Sequence, residues 1–120
     1  MNQRRILVAY DGTEEAYWAL MQAADAALAK GAAIGVVTVL PTIAAAATDA
    51  AAILREHKLQ PTLYTPTGDP ATEIARVAHE HAYDAIYVGR REDGSLARAL
   101  EGSVSEGVVQ ASALTTVIAR

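Results

Sequence analysis

The sequence predicts an α/β fold: an open, parallel five-stranded sheet with helices on both faces. Five short apolar runs are typical of buried strands, and helical patterns separate them along the chain. Strands that alternate with helices form parallel sheets with right-handed crossovers. We expect the strand order 3-2-1-4-5, which places the ends of strands 1 and 4 side by side.

Composition limits the function classes. The chain has 120 residues, is 52% hydrophobic and carries a formal net charge of -4. We therefore expect a single domain over residues 1–120, no membrane span and no nucleic-acid partner, since nucleic-acid binding needs a clustered basic face. The absence of cysteine excludes disulfides and thiolate sites. The opening residues carry no secretion signal, so we expect a cytoplasmic protein.

The first strand is predicted at Arg5 to Tyr10 and the first helix directly after it. Thr13 can cap this helix, two acids follow it in the first turn, and Lys30-Gly31 ends it. The predicted buried stripe consists of Ala16, Ala19, Leu20, Ala23, Ala24, Ala27 and Leu28. Of the two aromatic residues, Tyr17 and Trp18, we expect one to face outward.

The middle of the chain predicts two further strands and a helix. Ile34 to Leu40 is a strand that Pro41 ends, and most of the alanine-rich segment from Thr42 to Lys58 is helical. A short strand from Pro61 to Pro66 should lie at a sheet edge, because proline cannot donate a hydrogen bond to a central ladder.

A third helix should begin at Pro70 with Asp69 as its cap. Its predicted inward stripe consists of Ile74, Val77, Ala78 and His81. A fourth strand, Ala85 to Gly89, follows, and Thr115 to Ala119 is the fifth. Between these strands Ser103 and Glu106 form a capping box, which predicts a helix from about Gly102-Ser103.

Glycine-rich segments follow two strands that should be neighbours. Asp11-Gly12-Thr13 follows the first strand, and the fourth ends in Gly89-Arg90-Arg91, with Gly102-Ser103-Val104 at the later helix start. Glycine permits close backbone approach, and a helix N-terminus attracts anions. These segments could together hold a nucleotide phosphate at the carboxyl edge of the sheet.

These same segments resemble the universal stress protein family. The matching runs are RILVAYDGTEEAYWAL, VVTVL, GDPATEIARVA, DAIYVGRRE and EGSVSEGVV before TTVIA, in order over nearly the whole chain. The segment Thr42 to Leu59 looks shorter than its family counterpart. The resemblance implies a Rossmann-like fold of the adenine nucleotide alpha hydrolase type, a stress-response role and a homodimer formed through the C-terminal strand.

ATP-binding members of that family carry a spaced glycine motif that this chain matches in part. Gly89 stands at its first position and Gly102-Ser103 at its last two, while Glu92 replaces the second glycine. The resemblance implies that ATP or another adenine nucleotide binds, with or without Mg²⁺. By the same resemblance, the nucleotide-binding residues are Asp11, the backbone of Val39, Gly89, Arg90, Gly102, Ser103 and Val104.

Other interpretations of these residues stay open. Asp11 can be only a turn former, Ser103 only a helix cap, and Arg90 and Arg91 solvated loop cations. A homodimeric interaction module of the same fold without nucleotide is the alternative function. A phospho-acceptor signalling domain is set aside, because it needs an aspartate where Thr65-Pro66 follows the third strand.

Metal binding and catalysis find little support in the sequence. His79 and His81 are two residues apart and should face different sides of their helix, and His57 lies far from both in the chain. No spacing indicates a catalytic set. We expect neither a metal site nor an enzyme, and a regulator or sensor fits the pattern better.

Overall fold

The structure, a computed structural model, describes residues 3–41, 45–89 and 115–119, and in the last range only the side chain of Val117. The strands are β1 (Arg5–Ala9), β2 (Ala33–Val37), β3 (Thr62–Tyr64), β4 (Ala85–Gly89) and β5 (Thr115–Ala119); the helices are α1 (Glu14–Lys30), α2 (Ala45–Glu56) and α3 (Pro70–Glu80). The predicted helix near Gly102-Ser103 lies outside the described residues.

The sheet confirms the predicted fold class and topology. Its strand order is β3-β2-β1-β4-β5, and every neighbouring pair is parallel. The short strand β3 lies at one edge, as its flanking prolines predicted. None of the helices in the described ranges is long and apolar enough to cross a membrane.

Apolar clusters lie on both faces of the sheet. In the central strand, Ile6 and Val8 pack with α1 and α2, whereas Leu7 and Ala9 pack with α3. Successive side chains of a strand point to opposite faces, so a strand covered on both faces is apolar throughout. This explains why β1 shows no polar alternation.

Helix α1 contacts the sheet through small side chains. Thr13 is its N-cap, accepting a hydrogen bond from the amide of Ala16, and Gly31 ends it with a φ of 64°. The predicted stripe is buried except for Leu28, which is 51% exposed. Both aromatic residues are exposed as well, Tyr17 by 38% and Trp18 by 52%. Each of these three positions lies off the alanine-lined side, because successive helical residues are rotated by about 100°.

Strand β2 ends at Val37, three residues before the predicted end at Leu40. Beyond Val37 the chain stays extended, but it no longer forms a backbone ladder with β1. Instead, the buried hydroxyl of Thr38 donates a hydrogen bond to the carbonyl of Tyr10 at 2.7 Å. On the other side, the amide of Thr38 donates to the carbonyl of Tyr64. The chain at the end of β2 is thus held from both sides.

Helix α3 begins as predicted, with Asp69 as N-cap and Pro70 in the first turn. The Asp69 carboxylate accepts hydrogen bonds from the amide and hydroxyl of Thr72, which lower its pKa below the usual value. His81 was wrongly predicted to face inward. It lies one residue past the helix end, so the helical periodicity no longer applies, and its exposed ring lies 4.8 Å from the ring of Tyr64.

Candidate functional site

A cleft opens at the carboxyl edge of the sheet, between the ends of β1, β2 and β4 and the first turns of α1 and α3. The space between these walls, counted out to open solvent, is about 480 Å³. The lining residues are Ala9, Tyr10, Asp11, Thr13, Glu15, Ala16, Val37, Val39, Pro70, Ile74 and Gly89. Open α/β sheets bind ligands at this edge, where the strand order reverses.

The turn from β1 into α1 positions Asp11 at the cleft. One Asp11 carboxylate oxygen accepts hydrogen bonds from the Thr13 amide at 3.0 Å and the Thr13 hydroxyl at 2.7 Å. Gly12, with a φ of 86°, permits the tight turn between them. The turn-forming role considered for Asp11 is therefore real, and it holds the half-buried carboxylate in the wall of the cleft.

The backbone of Val39 faces the cleft side of the chain. The amides of its neighbours, Thr38 and Leu40, donate to carbonyls of Tyr64 and Pro66 on the β3 side. In an extended chain, alternate residues direct their N–H and C=O groups to opposite sides. The amide and carbonyl of Val39 therefore point to the side on which β1 lies. Strand β1 has ended before this level, and its chain continues into the turn at Asp11.

Gly89 brings β4 into direct contact with the first turn of α1. A Cβ placed on Gly89 would lie 2.5 Å from the carbonyl carbon and oxygen of Glu15 and 2.7 Å from the amide nitrogen of Ala16. Such distances exclude any side chain without movement of the helix. Helix packing is thus a structural reason for this glycine, in addition to the close ligand approach that the sequence suggested.

The cleft lining includes both apolar and acidic residues. Val37, Val39 and Ile74 form an apolar wall. Asp11 and Glu15 line the cleft as well. The nearby N-terminus of α3 already binds the carboxylate of Asp69. The apolar part of this lining suits an uncharged ring.

Tyr10 also lines the cleft and is almost fully buried. Burial raises its pKa above the usual value, and the carboxylates of Asp49 and Asp11 raise it further. Its phenol therefore stays neutral at physiological pH, and it takes no charged role in the cleft.

The structure brings together three of the predicted site residues, Asp11, Val39 and Gly89. Arg90, Gly102, Ser103 and Val104 lie outside the described residues, as does Glu92. Helix α3 also contributes to the cleft, through Pro70 and Ile74, and this contribution was not predicted from the sequence. The sequence did contain a signal for this contribution. The helix start at Gly68-Asp69-Pro70 follows strand β3, so it places the N-terminus of α3 at the carboxyl edge of the sheet.

The three histidines lie apart from the cleft lining. His57 contacts the carbonyl of Ile53 through its Nδ1, and the His81 ring lies against the Tyr64 ring at an interplanar angle of 42°. Within the ranges that the structure covers, no group of three or more His, Asp or Glu side chains could hold a metal ion.

Comparison with known proteins gives a consistent result. The model of the universal stress protein family matches residues 2–120. Similar solved structures include the Archaeoglobus fulgidus universal stress protein in complex with dAMP (23% identity, 100% of each chain covered, TM-score 0.78). A second is a universal stress protein in complex with cAMP (18% identity, 98% of this chain and 97% of that chain covered, TM-score 0.69). A third is a universal stress protein family protein from Arabidopsis thaliana with AMP bound (15% identity, 98% of this chain and 92% of that chain covered, TM-score 0.69). No curated protein sequence matches the chain significantly. The chain belongs to the universal stress protein family.

Proposed function

We propose that this universal stress protein binds an adenine nucleotide in the carboxyl-edge cleft and acts in the cytoplasm as a regulator or sensor rather than as a catalyst. The observation that carries the proposal is the meeting of Asp11, Val39 and Gly89 in one cleft at the carboxyl edge of the sheet. The dAMP, cAMP and AMP complexes of similar structures support it.

The apolar wall fits a purine ring. Val37, Val39 and Ile74 offer apolar side chains, while the Val39 backbone offers one donor and one acceptor on the cleft side. Adenine presents a matching pair, an amino donor beside a ring-nitrogen acceptor. The base therefore binds at the end of β2.

Asp11 fits the ribose. A carboxylate oxygen can accept more than one hydrogen bond. A ribose hydroxyl donating to Asp11 would form a charge-assisted bond, the stronger class of hydrogen bond. The phosphates are assigned, by family resemblance alone, to Arg90, Gly102, Ser103 and Val104, with or without Mg²⁺.

Two aspartates provide a matched test. Asp11 and Asp69 each precede a helix and accept from the amide and hydroxyl of a threonine, but only Asp11 lines the cleft. Asp11→Asn should weaken AMP binding about 5- to 30-fold, the loss of one charge-assisted bond. Asp69→Asn should leave the affinity unchanged.

Isothermal titration of the wild type and both variants with AMP, together with native mass spectrometry of the purified protein, measures these outcomes. Failure of AMP, cAMP and ATP to bind the folded wild type would reject the proposal. The remaining candidate would then be a dimeric interaction module without nucleotide.

A homodimer through β5 is our companion proposal. The strand occupies the sheet edge, where its pairing with β4 leaves one side of its backbone open among the described residues. An edge strand of five residues is a template for pairing with a second copy.

A further inference from the structure

We infer that Thr38 is a positioning residue for the nucleotide: its buried hydroxyl fixes the spacing between the residue proposed to bind the base and the residue proposed to bind the ribose. The inference rests on the proposed nucleotide binding, and it assigns a role in that binding to a side chain that does not line the cleft. It follows from one hydrogen bond and from the place of its two partners in the chain.

Thr38 is a polar residue at an apolar position. Among the described residues it has the only buried polar side chain apart from the tyrosines, and its exposure is 0%. Its neighbours in the chain, Val36, Val37 and Val39, are all buried valines. A buried hydroxyl costs free energy unless it forms a hydrogen bond, so valine would fill this position at least as well. Packing alone therefore gives no reason for a hydroxyl here, whereas its hydrogen bond does.

This hydrogen bond joins the two segments that carry the proposed contacts. The Thr38 hydroxyl donates to the carbonyl of Tyr10 at 2.7 Å, an ordinary length for a bond between two oxygen atoms. Asp11 directly follows Tyr10 in the chain, and Val39 directly follows Thr38. Each proposed contact residue is therefore the next residue after one of the two bonded partners.

Thr38 makes this link at the place where the ladder between β1 and β2 ends. The final pair in register is Ala9 and Val37, and the Tyr10 amide donates to the Val37 carbonyl at 3.0 Å. On the other side, the Thr38 amide donates to the carbonyl of Tyr64 at 2.9 Å. The hydroxyl thus extends the connection between the two strands one residue beyond their ladder. Supporting hydrogen bonds of this kind hold the groups of a binding site in a productive geometry.

This role predicts that Thr38 and Asp11 are coupled in nucleotide binding. A ligand that contacts Val39 and Asp11 at once depends on the distance between them, whereas a ligand that has lost its bond to Asp11 does not. Thr38→Val removes the hydroxyl and keeps the branched shape. It should weaken AMP binding about tenfold, within the range of about 5- to 30-fold expected for Asp11→Asn.

The double variant with Thr38→Val and Asp11→Asn measures the coupling. It should bind AMP within about threefold of Asp11→Asn alone, because the spacing no longer matters once the ribose contact is lost. Independent effects would instead multiply to a loss of about 50-fold or more.

Two further variants separate spacing from general stability. Thr38→Ser keeps the hydroxyl and should bind AMP within about threefold of wild type. Tyr83→Phe removes a different hydroxyl, which is hydrogen bonded to Tyr64 at 2.9 Å away from the cleft lining, and should leave AMP affinity unchanged. AMP is titrated calorimetrically into wild type and all variants, and circular dichroism checks that each is folded. Thr38→Ala replaces Thr38→Val in the cycle if the valine variant does not fold.

Each other result overturns the inference or the proposed function. The inference is wrong and the proposed function stands if AMP binds Thr38→Val as well as wild type, or if the effects of Thr38→Val and Asp11→Asn multiply. It is also wrong if Thr38→Ser or Tyr83→Phe loses as much affinity as Thr38→Val. If Asp11→Asn binds AMP as well as wild type, the ribose assignment fails and the inference fails with it. If AMP, cAMP and ATP all fail to bind the folded wild type, the proposed function itself fails.

Discussion

The hydroxyl of Tyr83 lies over Gly35, at the position where any other residue would carry its Cβ. A Cβ at Gly35 would contact this hydroxyl and lie 2.8 Å from Cζ of the same ring. The Tyr83 hydroxyl is also hydrogen bonded to that of Tyr64 at 2.9 Å, and the guanidinium of Arg5 lies 4.6 Å from the ring centroid. One phenol thus connects β1, β2 and β3 beside the start of β4.

Gly35→Ala should destabilise the protein by about 1–3 kcal/mol, because the added methyl group overfills a packed position. Adding Tyr83→Phe removes the obstructing hydroxyl. The double variant should therefore be more stable than the sum of the two single changes predicts, by at least about 0.5 kcal/mol. Urea unfolding of the four proteins measures this coupling, and strictly additive effects would contradict the close contact.

Stability should fall at high pH, and Tyr83 should account for part of the fall. Burial raises the pKa of Tyr83 above the ordinary 10.0, and the hydrogen bond with Tyr64 raises it further, while Arg5 lowers it. Above pH 10 the unfolded chain releases this proton and the folded chain retains it. The stabilisation present below pH 10 is therefore lost progressively as the pH rises.

Urea unfolding at about pH 9 and about pH 11 tests this, with Tyr83→Phe expected to lose less stability between the two values than wild type. Tyr10, whose pKa burial also raises, continues to contribute in that variant. Tyr17→Phe, on the exposed side of α1, is the control and should follow the wild type. Equal losses in Tyr83→Phe and wild type would exclude Tyr83 as a cause.

Gly89→Ala should lower both stability and nucleotide affinity. The methyl group would push the first turn of α1 away from β4 and move the cleft wall, at a cost of about 1–3 kcal/mol. Gly31→Ala provides the contrast, since that residue has open space around it but a φ of 64°. It should cost about 1 kcal/mol and leave AMP affinity unchanged. Thermal unfolding measures the stability of both variants, and titration with AMP measures their affinity. Unaltered affinity in Gly89→Ala would show that the packing of Gly89 against α1 does not affect the nucleotide site.

Val117→Pro should dissociate the proposed homodimer, because proline in β5 disturbs the edge on which a second copy would pair. Leu63→Pro makes the same kind of change in β3, at the opposite edge, and should leave the dimer intact. Sedimentation velocity gives the oligomeric state, and circular dichroism checks that each variant is folded. A monomeric wild type at micromolar concentration, or a dimeric Val117→Pro, would refute the proposal.

Local signals in the sequence were sufficient to locate the described elements. Thr13 and Asp69 cap α1 and α3 as predicted, since a cap depends on a side chain and an amide only two or three residues away. The uninterrupted apolar sequence of β1 correctly indicated that this strand is buried on both faces. The prediction that Leu28 and His81 are buried was wrong. Both residues lie near helix ends, where helical periodicity no longer specifies whether a side chain contacts the core.

The sequence alone therefore determined the fold class, the strand order and the presence of Asp11 and Gly89 at one sheet edge, because these follow from local pattern and from the rules of parallel sheets, whereas Val39 was assigned to that edge through the family resemblance. Only the tertiary structure decided that α3 supplies a wall of the cleft, that Glu15 lies beside Gly89, and that Tyr83 covers Gly35. Each of these contacts joins segments far apart in the chain, and no local preference encodes the distance at which two packed elements meet.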